Sequence, residues 1–329
     1  MRRTMYHVRS TMRNLKLRIF LTFAFCLLTF AFLSGCQQRR LNRDMRILMG
    51  TFVEVISPDV RSAAFVFEEV KRIEGIFSIY KSESEVSRLN QDGRINASRD
   101  MLYLVKKSKE FWQMSNGAFD ITIGPLMDIW GFTNKQFRIP DKAEIAKALE
   151  RVGFDKIIID EAKGVIEFKA PGMRLDLGAI AAGYAVDCAI SRLKREGIKD
   201  CVINAGGDIY CMGAKFGNPW TVAIRNPRKN RLMEYVKLNN EAITTSGDYH
   251  NYFIKDNKRY SHIFDPRTGC PAQSGAISVT VIAPDCLTAD ALATAIFVLG
   301  KKDGEALAGK IPGVQAKIIE EADTTPKEK

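Results

Sequence analysis

The chain has 329 residues, 46% of them hydrophobic, enough for one large domain or two small ones around a sizeable core. Its formal charge of +11 overstates any basic surface. Six of the 49 Lys and Arg lie in residues 1–35, leaving 43 against 38 acids, a net +5. With no long Lys/Arg run and no aromatic-basic platform, this balance argues against nucleic-acid binding.

The leading segment carries Arg2, Arg3, Arg9, Arg13, Lys16 and Arg18 with no acid among them. An apolar run from Ile19 to Leu33 follows and ends in Leu33-Ser34-Gly35-Cys36. Residues 1–35 therefore read as a secretory signal. The 15-residue run is short of the ~20 residues a plain membrane-spanning helix needs. The Leu-Ser-Gly-Cys ending resembles the lipobox of bacterial lipoproteins, in which the Cys, here Cys36, is lipidated and becomes the mature N-terminus. Residues 36–44 then form the lipidated Cys and a polar tether. Met12 offers a second start. Gln37, where an Asp would favour inner-membrane retention, points to an outer membrane. The expected location is the periplasmic or extracytoplasmic face of a bacterial membrane.

With Cys26 removed in the leader and Cys36 lipidated, Cys188, Cys201, Cys211, Cys270 and Cys286 remain. An odd set with no C-x-x-C pair is neither a disulfide framework nor a zinc site. It suits small core residues, with room for one bridge.

In chain order, Thr51–Ile56 reads as a strand. Asp59–Phe77 has apolar residues at helical spacing (Phe65, Val66, Val70, Ile73, Phe77) and predicts an amphipathic helix. Ser98–Met114 predicts a second helix with Ser98 as N-cap, and Asp141–Val152 a third, ended by Gly153. Strands are expected at Lys156–Asp160 and Val165–Phe168, then a helix from about Gly178 to Glu196 closed by Gly197. Further strands are expected at Cys201–Asn204, Asp208–Met212, Thr221–Arg225, Glu234–Leu238 and Ala276–Ile282, before a helix from about Leu287 to Leu299. The tail, 321–329, is charged and expected to be disordered. The mixture predicts an α+β fold with a mostly antiparallel sheet and flanking helices.

Five clusters could carry chemistry. Leu175–Asp187 opens a helix with small residues, which suits either phosphate binding at the helix start or close helix packing. Asn204-Ala205-Gly206-Gly207-Asp208 joins two strands and, alone, reads best as a hairpin turn. Thr245–Tyr249 and His262–Gly269 are dense in donors, acceptors and turn formers. His250 and His262 are the histidines left once the leader is gone, and His262 suits either a structural or a substrate-facing role. Thr288–Ala295 places Asp290 and Thr294 four apart on one helical face, a carboxylate with a hydroxyl that suits Mg²⁺. The alternative is a buried Asp capped by Thr, although an Asp among Ala, Leu and Ile is costly to bury without a counter-charge.

Taken together, these segments resemble the ApbE family of FAD:protein FMN transferases. The order is Met49-Gly50-Thr51, Tyr80, Ser87-Arg88-Leu89-Asn90, Gly117-Ala118-Phe119-Asp120, Gly124-Pro125-Leu126, Trp130-Gly131-Phe132, Leu175–Asp187, Asn204–Asp208, Thr245–Tyr249, His262–Gly269 and Ala289–Gly300. The match covers about residues 45–318 and implies one ApbE-like unit over 45–320. The resemblance implies that FAD meets Met49, Tyr80, Ala118, Phe119, Asp120, Gly178, Tyr184 and Ile263. It implies Mg²⁺ on Asp290, Thr294 and a backbone carbonyl at Ala181. Where many members have Lys or Glu, this chain has Ala182, so one side-chain contact to the dinucleotide or protein substrate is missing. The implied reaction passes FMN from FAD to a Thr or Ser hydroxyl of an acceptor protein and releases AMP. His262 is the candidate base, with Asp290 second. The implied acceptor carries a Thr-containing flavinylation motif, as in subunits of membrane redox complexes. Two alternatives are an FAD pyrophosphatase giving FMN and AMP, and a non-catalytic FAD-binding lipoprotein.

Overall fold

The chain from Asn42 begins with an antiparallel pair, β1 (Asn42–Leu48) and β2 (Thr51–Ser57), joined by a tight turn at Met49-Gly50. The structure is a computed structural model that describes residues 40–229 and 231–324. The expected leader and Cys36 lie outside that range. Three helices and a short strand follow: α1 (Ser62–Phe77), α2 (Glu85–Asp92), β3 (Arg94–Asn96) and α3 (Arg99–Met114). The apolar spacing of α1 buries Val66, Phe67, Val70, Ile73 and Phe77. The α3 helix starts as expected, with the Ser98 side chain accepting from the Met101 amide.

Next come α4 (Gly124–Ile129), α5 (Lys142–Leu149), β4 (Ile157–Asp160), β5 (Val165–Phe168) and α6 (Ala181–Arg195). An Asp141–Glu144 capping box opens α5. The second half runs β6 (Cys201–Ala205), β7 (Asp208–Met212), β8 (Trp220–Arg225), β9 (Leu232–Leu238), β10 (Glu241–Gly247), β11 (Tyr252–Lys255) and β12 (Lys258–Ser261). It ends with β13 (Phe264–Asp265), β14 (Cys270–Pro271), β15 (Ala276–Ala283), α7 (Cys286–Ala308), β16 (Gln315–Glu320) and α8 (Glu321–Thr324).

The main sheet has seven strands in the order β1-β2-β6-β7-β10-β15-β16, antiparallel throughout. The largest core lies where α1, α6 and α7 meet the inward side chains of this sheet, among them Val53, Ile203, Val279 and Val281. The β8–β9 hairpin covers the other face through Trp220, Ile224 and Leu238. A third core gathers Leu126, Trp130, Phe132 and Phe264 beneath the β11–β12 hairpin. Among the described residues no helix is long and apolar enough to cross a membrane.

The α+β expectation holds. Two boundaries move. The strand β1 takes in residues 42–44 of the expected tether, because Asn42 donates to the Ser57 carbonyl at 3.3 Å and Arg43 pairs with Glu54. At the other end, residues 321–324 of the expected disordered tail form α8. The Asp323 carboxylate there accepts from the Glu320 amide at 3.0 Å, and Arg228 pairs with Glu321 at 2.8 Å. Residues 325–329 lie outside the described range.

Candidate active site

The site is built on the seam between α6 and α7. Asn90 on α2 grips the loop that leads into α6 from both sides. Its Nδ2 donates to the Leu175 carbonyl at 2.9 Å, and its Oδ1 accepts from the Leu175 amide at 2.6 Å. Further along, Asp176 accepts from the Gly178 amide at 2.9 Å. At the other side of the seam, Asp285 caps α7 by accepting from the Thr288 amide at 2.8 Å. Asp187, on α6, accepts from the Cys286 and Leu287 amides at 2.9 Å each. One helix thus supplies the carboxylate that satisfies orphan donors of the next. Contact is close. A Cβ at Gly183 would lie 2.6 Å from the Cys286 carbonyl oxygen and 3.0 Å from the Asp290 Cβ.

Across this seam buried Asp290 accepts from the Gly183 amide at 3.2 Å. Gly183 is the third residue of α6, so its amide has no carbonyl within the helix to donate to, and Asp290 supplies the missing partner. The first helical bond runs from the Tyr184 amide to the Ile180 carbonyl at 3.1 Å. Ala181, expected to offer a backbone carbonyl to the ion, is the first residue of α6. Thr294, one turn beyond Asp290, has its hydroxyl 3.2 Å from that of Ser246 on β10.

Asp208, at the start of β7, is the residue the sequence reading missed, since its segment reads as an ordinary hairpin turn. Burial pushes its carboxyl up to about 7. Burial, and then the charge of Asp208, hold the Asp290 carboxyl well above the usual range. A buried carboxylate that feels the charge of a second, half-buried one favours a proton or a cation. Among the described residues no three His, Cys, Asp or Glu side chains form a metal cluster. Any ion here would draw on hydroxyl and carbonyl oxygens as well, a donor set that fits a hard cation.

The remaining expected residues divide into those left accessible and those packed away. Met49 sits at positive φ in the β1–β2 turn, and its amide donates to Glu74 at 2.8 Å. The same turn touches the β6–β7 turn: the Gly206 amide donates to the Phe52 carbonyl at 2.9 Å, and a Cβ at Gly206 would lie 2.6 Å from the Thr51 hydroxyl. Tyr80 is 78% exposed, so its ring face is open for stacking. Gly178 is exposed at the approach to α6.

Ala118, Phe119 and Asp120, the stretch expected to meet FAD, have buried side chains. Phe119 packs edge-on to Phe111. Asp120 accepts from the Thr122 amide and hydroxyl and from the Phe154 amide, so its carboxylate braces a loop. Tyr184 is likewise engaged, donating its hydroxyl to Asp100 at 2.5 Å and packing beside Phe77 and Tyr103. Ile263 is buried and its carbonyl accepts from the Ala272 amide at 2.8 Å.

His262 is half-buried, with Nδ1 3.0 Å from the Asn251 carbonyl. A carbonyl can only accept, so Nδ1 carries the proton and Nε2 keeps its lone pair. Burial holds the imidazole down to about 4. It is a neutral base at pH 7. The strand β10 links it to the seam: Ser246 touches Thr294, and two residues on, Asp248 is clamped by Arg228 at 2.7 Å and Arg259 at 3.3 Å, at the foot of the loop holding Asn251.

The ApbE family model matches residues 49–318. This chain belongs to the ApbE family. The FAD:protein FMN transferase of Klebsiella pneumoniae is 34% identical over 265 residues, covering 78% of this chain and 82% of that one. The one of Haemophilus influenzae is 35% identical, covering 70% of each. Among solved structures, the ApbE protein of Thermotoga maritima superposes with a TM-score of 0.80 at 34% identity, covering 86% of this chain and 95% of that one. The flavin transferase ApbE of Vibrio cholerae superposes with a TM-score of 0.78 at 30% identity, covering 87% and 95%. The ApbE motifs lie far apart in this sequence but are joined directly in the fold. The Trp130 indole donates to the Gly269 carbonyl at 3.0 Å, as Asn90 joins Leu175 and Thr51 joins Gly206.

Proposed function

We propose that this chain transfers FMN from FAD to a Thr or Ser hydroxyl of an acceptor protein, releases AMP, requires Mg²⁺, and works from a lipid anchor at Cys36. The observation that carries the reading is the pairing of a dry oxygen-donor seam with a neutral imidazole. Asp290, the Thr294 hydroxyl and the Ala181 carbonyl would hold the ion, with Asp208 beside them. When bound, Mg²⁺ neutralises charge developing on the pyrophosphate oxygens.

The chain's own residues do the rest. The His262 Nε2 takes the proton of the acceptor hydroxyl, whose own pKa is far above 7. The oxygen then attacks the phosphorus attached to riboflavin and AMP departs with the electron pair of the broken phosphoanhydride. The Met49 turn and exposed Tyr80 would receive the flat rings. Such a step depends mainly on positioning and charge neutralisation. Membership of a family whose named relatives are FAD:protein FMN transferases supports transfer over the two alternatives.

The test is incubation with FAD and Mg²⁺, with and without an acceptor bearing a Thr-containing motif, following protein-bound flavin, free FMN and AMP. Bound flavin with stoichiometric AMP is expected. Free FMN in equal amount with the acceptor present would make the chain a pyrophosphatase. Intact FAD with no AMP under any condition would make it a binder. Asp290→Ala is expected to abolish the Mg²⁺ response.

A further inference from the structure

The strand β1 is the outermost of the main sheet, and among the described residues no strand pairs with its free edge. Its side chains alternate between two faces. Arg46 turns to the face carrying α1, its guanidinium 4.6 Å over the Phe67 ring. Arg43, Met45 and Ile47 turn to the other face, in register with Ile56, Glu54 and Phe52 of β2. Farther along that face Ile56 and Val202 pack with Trp220 of the β8–β9 hairpin. Met45, Ile47 and Phe52 lie beyond its cover and are 64%, 73% and 39% exposed.

Large apolar side chains on an open edge invite unwanted pairing unless something covers them. Their place in the chain says what does. The strand begins at Asn42, only a few residues after Cys36. At no more than about 3.5 Å per residue, the start of β1 lies within about 20 Å of the sulfur that would carry the acyl chains. Arg39 and Arg40 fall on this approach in sequence and suit anionic headgroups.

We infer that the Met45–Ile47–Phe52 face rests on the bilayer into which the Cys36 acyl chains insert. The inference rests on the lipid-anchor reading above. It orients the enzyme. The Met49-Gly50 turn continues this edge, and through the Gly206–Phe52 hydrogen bond the β6–β7 turn sits next to it. The flavin site is thereby held beside the lipid surface, where hydroxyls of membrane-associated acceptors are presented. A few apolar side chains add to the hold of the lipid anchor and fix which face meets the bilayer.

The experiment uses the full lipidated chain in liposomes of zwitterionic and anionic phospholipids with brominated acyl chains. Ile47→Trp places a reporter on the face, and Ile254→Trp, on the exposed outer side of the β11–β12 hairpin, is the control. Bromine quenching of the residue 47 indole but not the residue 254 indole is expected. Equal absence of quenching at both, in protein that stays with the liposomes, overturns the inference while leaving the anchor intact. Should the wild-type chain partition to liposomes no better than the weakly bound Cys36→Ser chain, the anchor reading fails and this inference with it. In the unlipidated Cys36→Ser chain, Met45→Asp with Ile47→Asp is expected to weaken liposome partitioning by about tenfold or more, with FAD binding unchanged. If that pair of changes instead lowers flavin transfer to a detergent-solubilised acceptor and leaves partitioning alone, the face docks protein, and the bilayer assignment falls.

Discussion

At the scale of single residues, the chemistry rests on two groups pushed in opposite directions by the same cause. Burial raises the carboxyl of Asp290, so it binds a proton or a cation readily. Burial lowers the imidazole of His262 to about 4, so it stays neutral and able to accept a proton throughout the physiological range. Replacing His262 by Ala should reduce transfer by about 10²–10⁴-fold, the usual worth of a positioned base, while FAD binding persists. The wild-type rate should show no inflection near 6.5 attributable to this ring. Steady-state rates across pH 5–8 for both proteins check this. An inflection near 6.5 that disappears in His262→Ala would mean the imidazole titrates as it would in water. An unchanged rate in the mutant would remove it from the mechanism.

At the scale of elements, the decisive contact is between two helices at one glycine. Adding a methyl at Gly183 puts it 2.6 Å from a backbone oxygen, and backbone cannot swing aside as a side-chain tip would. Gly183→Ala is expected to cost about 1–3 kcal/mol from overpacking and to weaken Mg²⁺ binding by displacing Asp290. Urea denaturation and a Mg²⁺ titration read the two effects. Wild-type stability with a wild-type Mg²⁺ response would show that α6 and α7 part freely. The amphipathic helices and hydrophobic strands were legible in sequence because each has one buried face: α1 ends at the expected Phe77, and β5 and β7 keep their expected bounds. The strand β10 was not. Its Thr244-Thr245-Ser246-Gly247 run looks like a loop, yet it pairs with β15 while the start of the strand pairs with β7, in the interior of the sheet. Tertiary pairing overrides its composition, and its hydroxyls turn towards Thr280 and Thr294. The same limit applies to the site. Asp290 and Thr294 share a visible helical spacing, whereas Asp208 joins them only through sheet order.

At the scale of the whole molecule, several carboxylates are held away from water, and this gives folding a pH dependence with a definite sign. Burial raises Asp120 from 3.8 to about 6 and Asp187 from 3.8 to about 7. Both brace loops or helix ends, and neither belongs to the donor set at Asp290. A carboxyl whose folded-state pKa lies above its unfolded value favours folding in the protonated form. That advantage is complete below the unfolded value near 3.8, shrinks as pH rises, and is gone above about 6 for Asp120 and about 7 for Asp187. The opposing groups Asp59, Asp160 and Glu144, held low chiefly by hydrogen bonds from Arg61, Lys163 and Arg138, lie near the surface and contribute little, and their effect is already complete above about pH 5. His262 opposes more strongly: held down to about 4 from 6.5, it disfavours folding as pH falls below about 6.5, by about 2 kcal/mol at pH 5. In Mg²⁺-free buffer the protein should therefore be more stable at pH 5 than at pH 8, by on the order of 2 kcal/mol at about 1.4 kcal/mol per unit. A melting temperature several degrees higher at pH 5 is the expected result. A melting curve that climbs steadily from pH 5 to pH 8 would mean these carboxylates are ionised in the fold with cationic partners, contrary to the dry surroundings described for them.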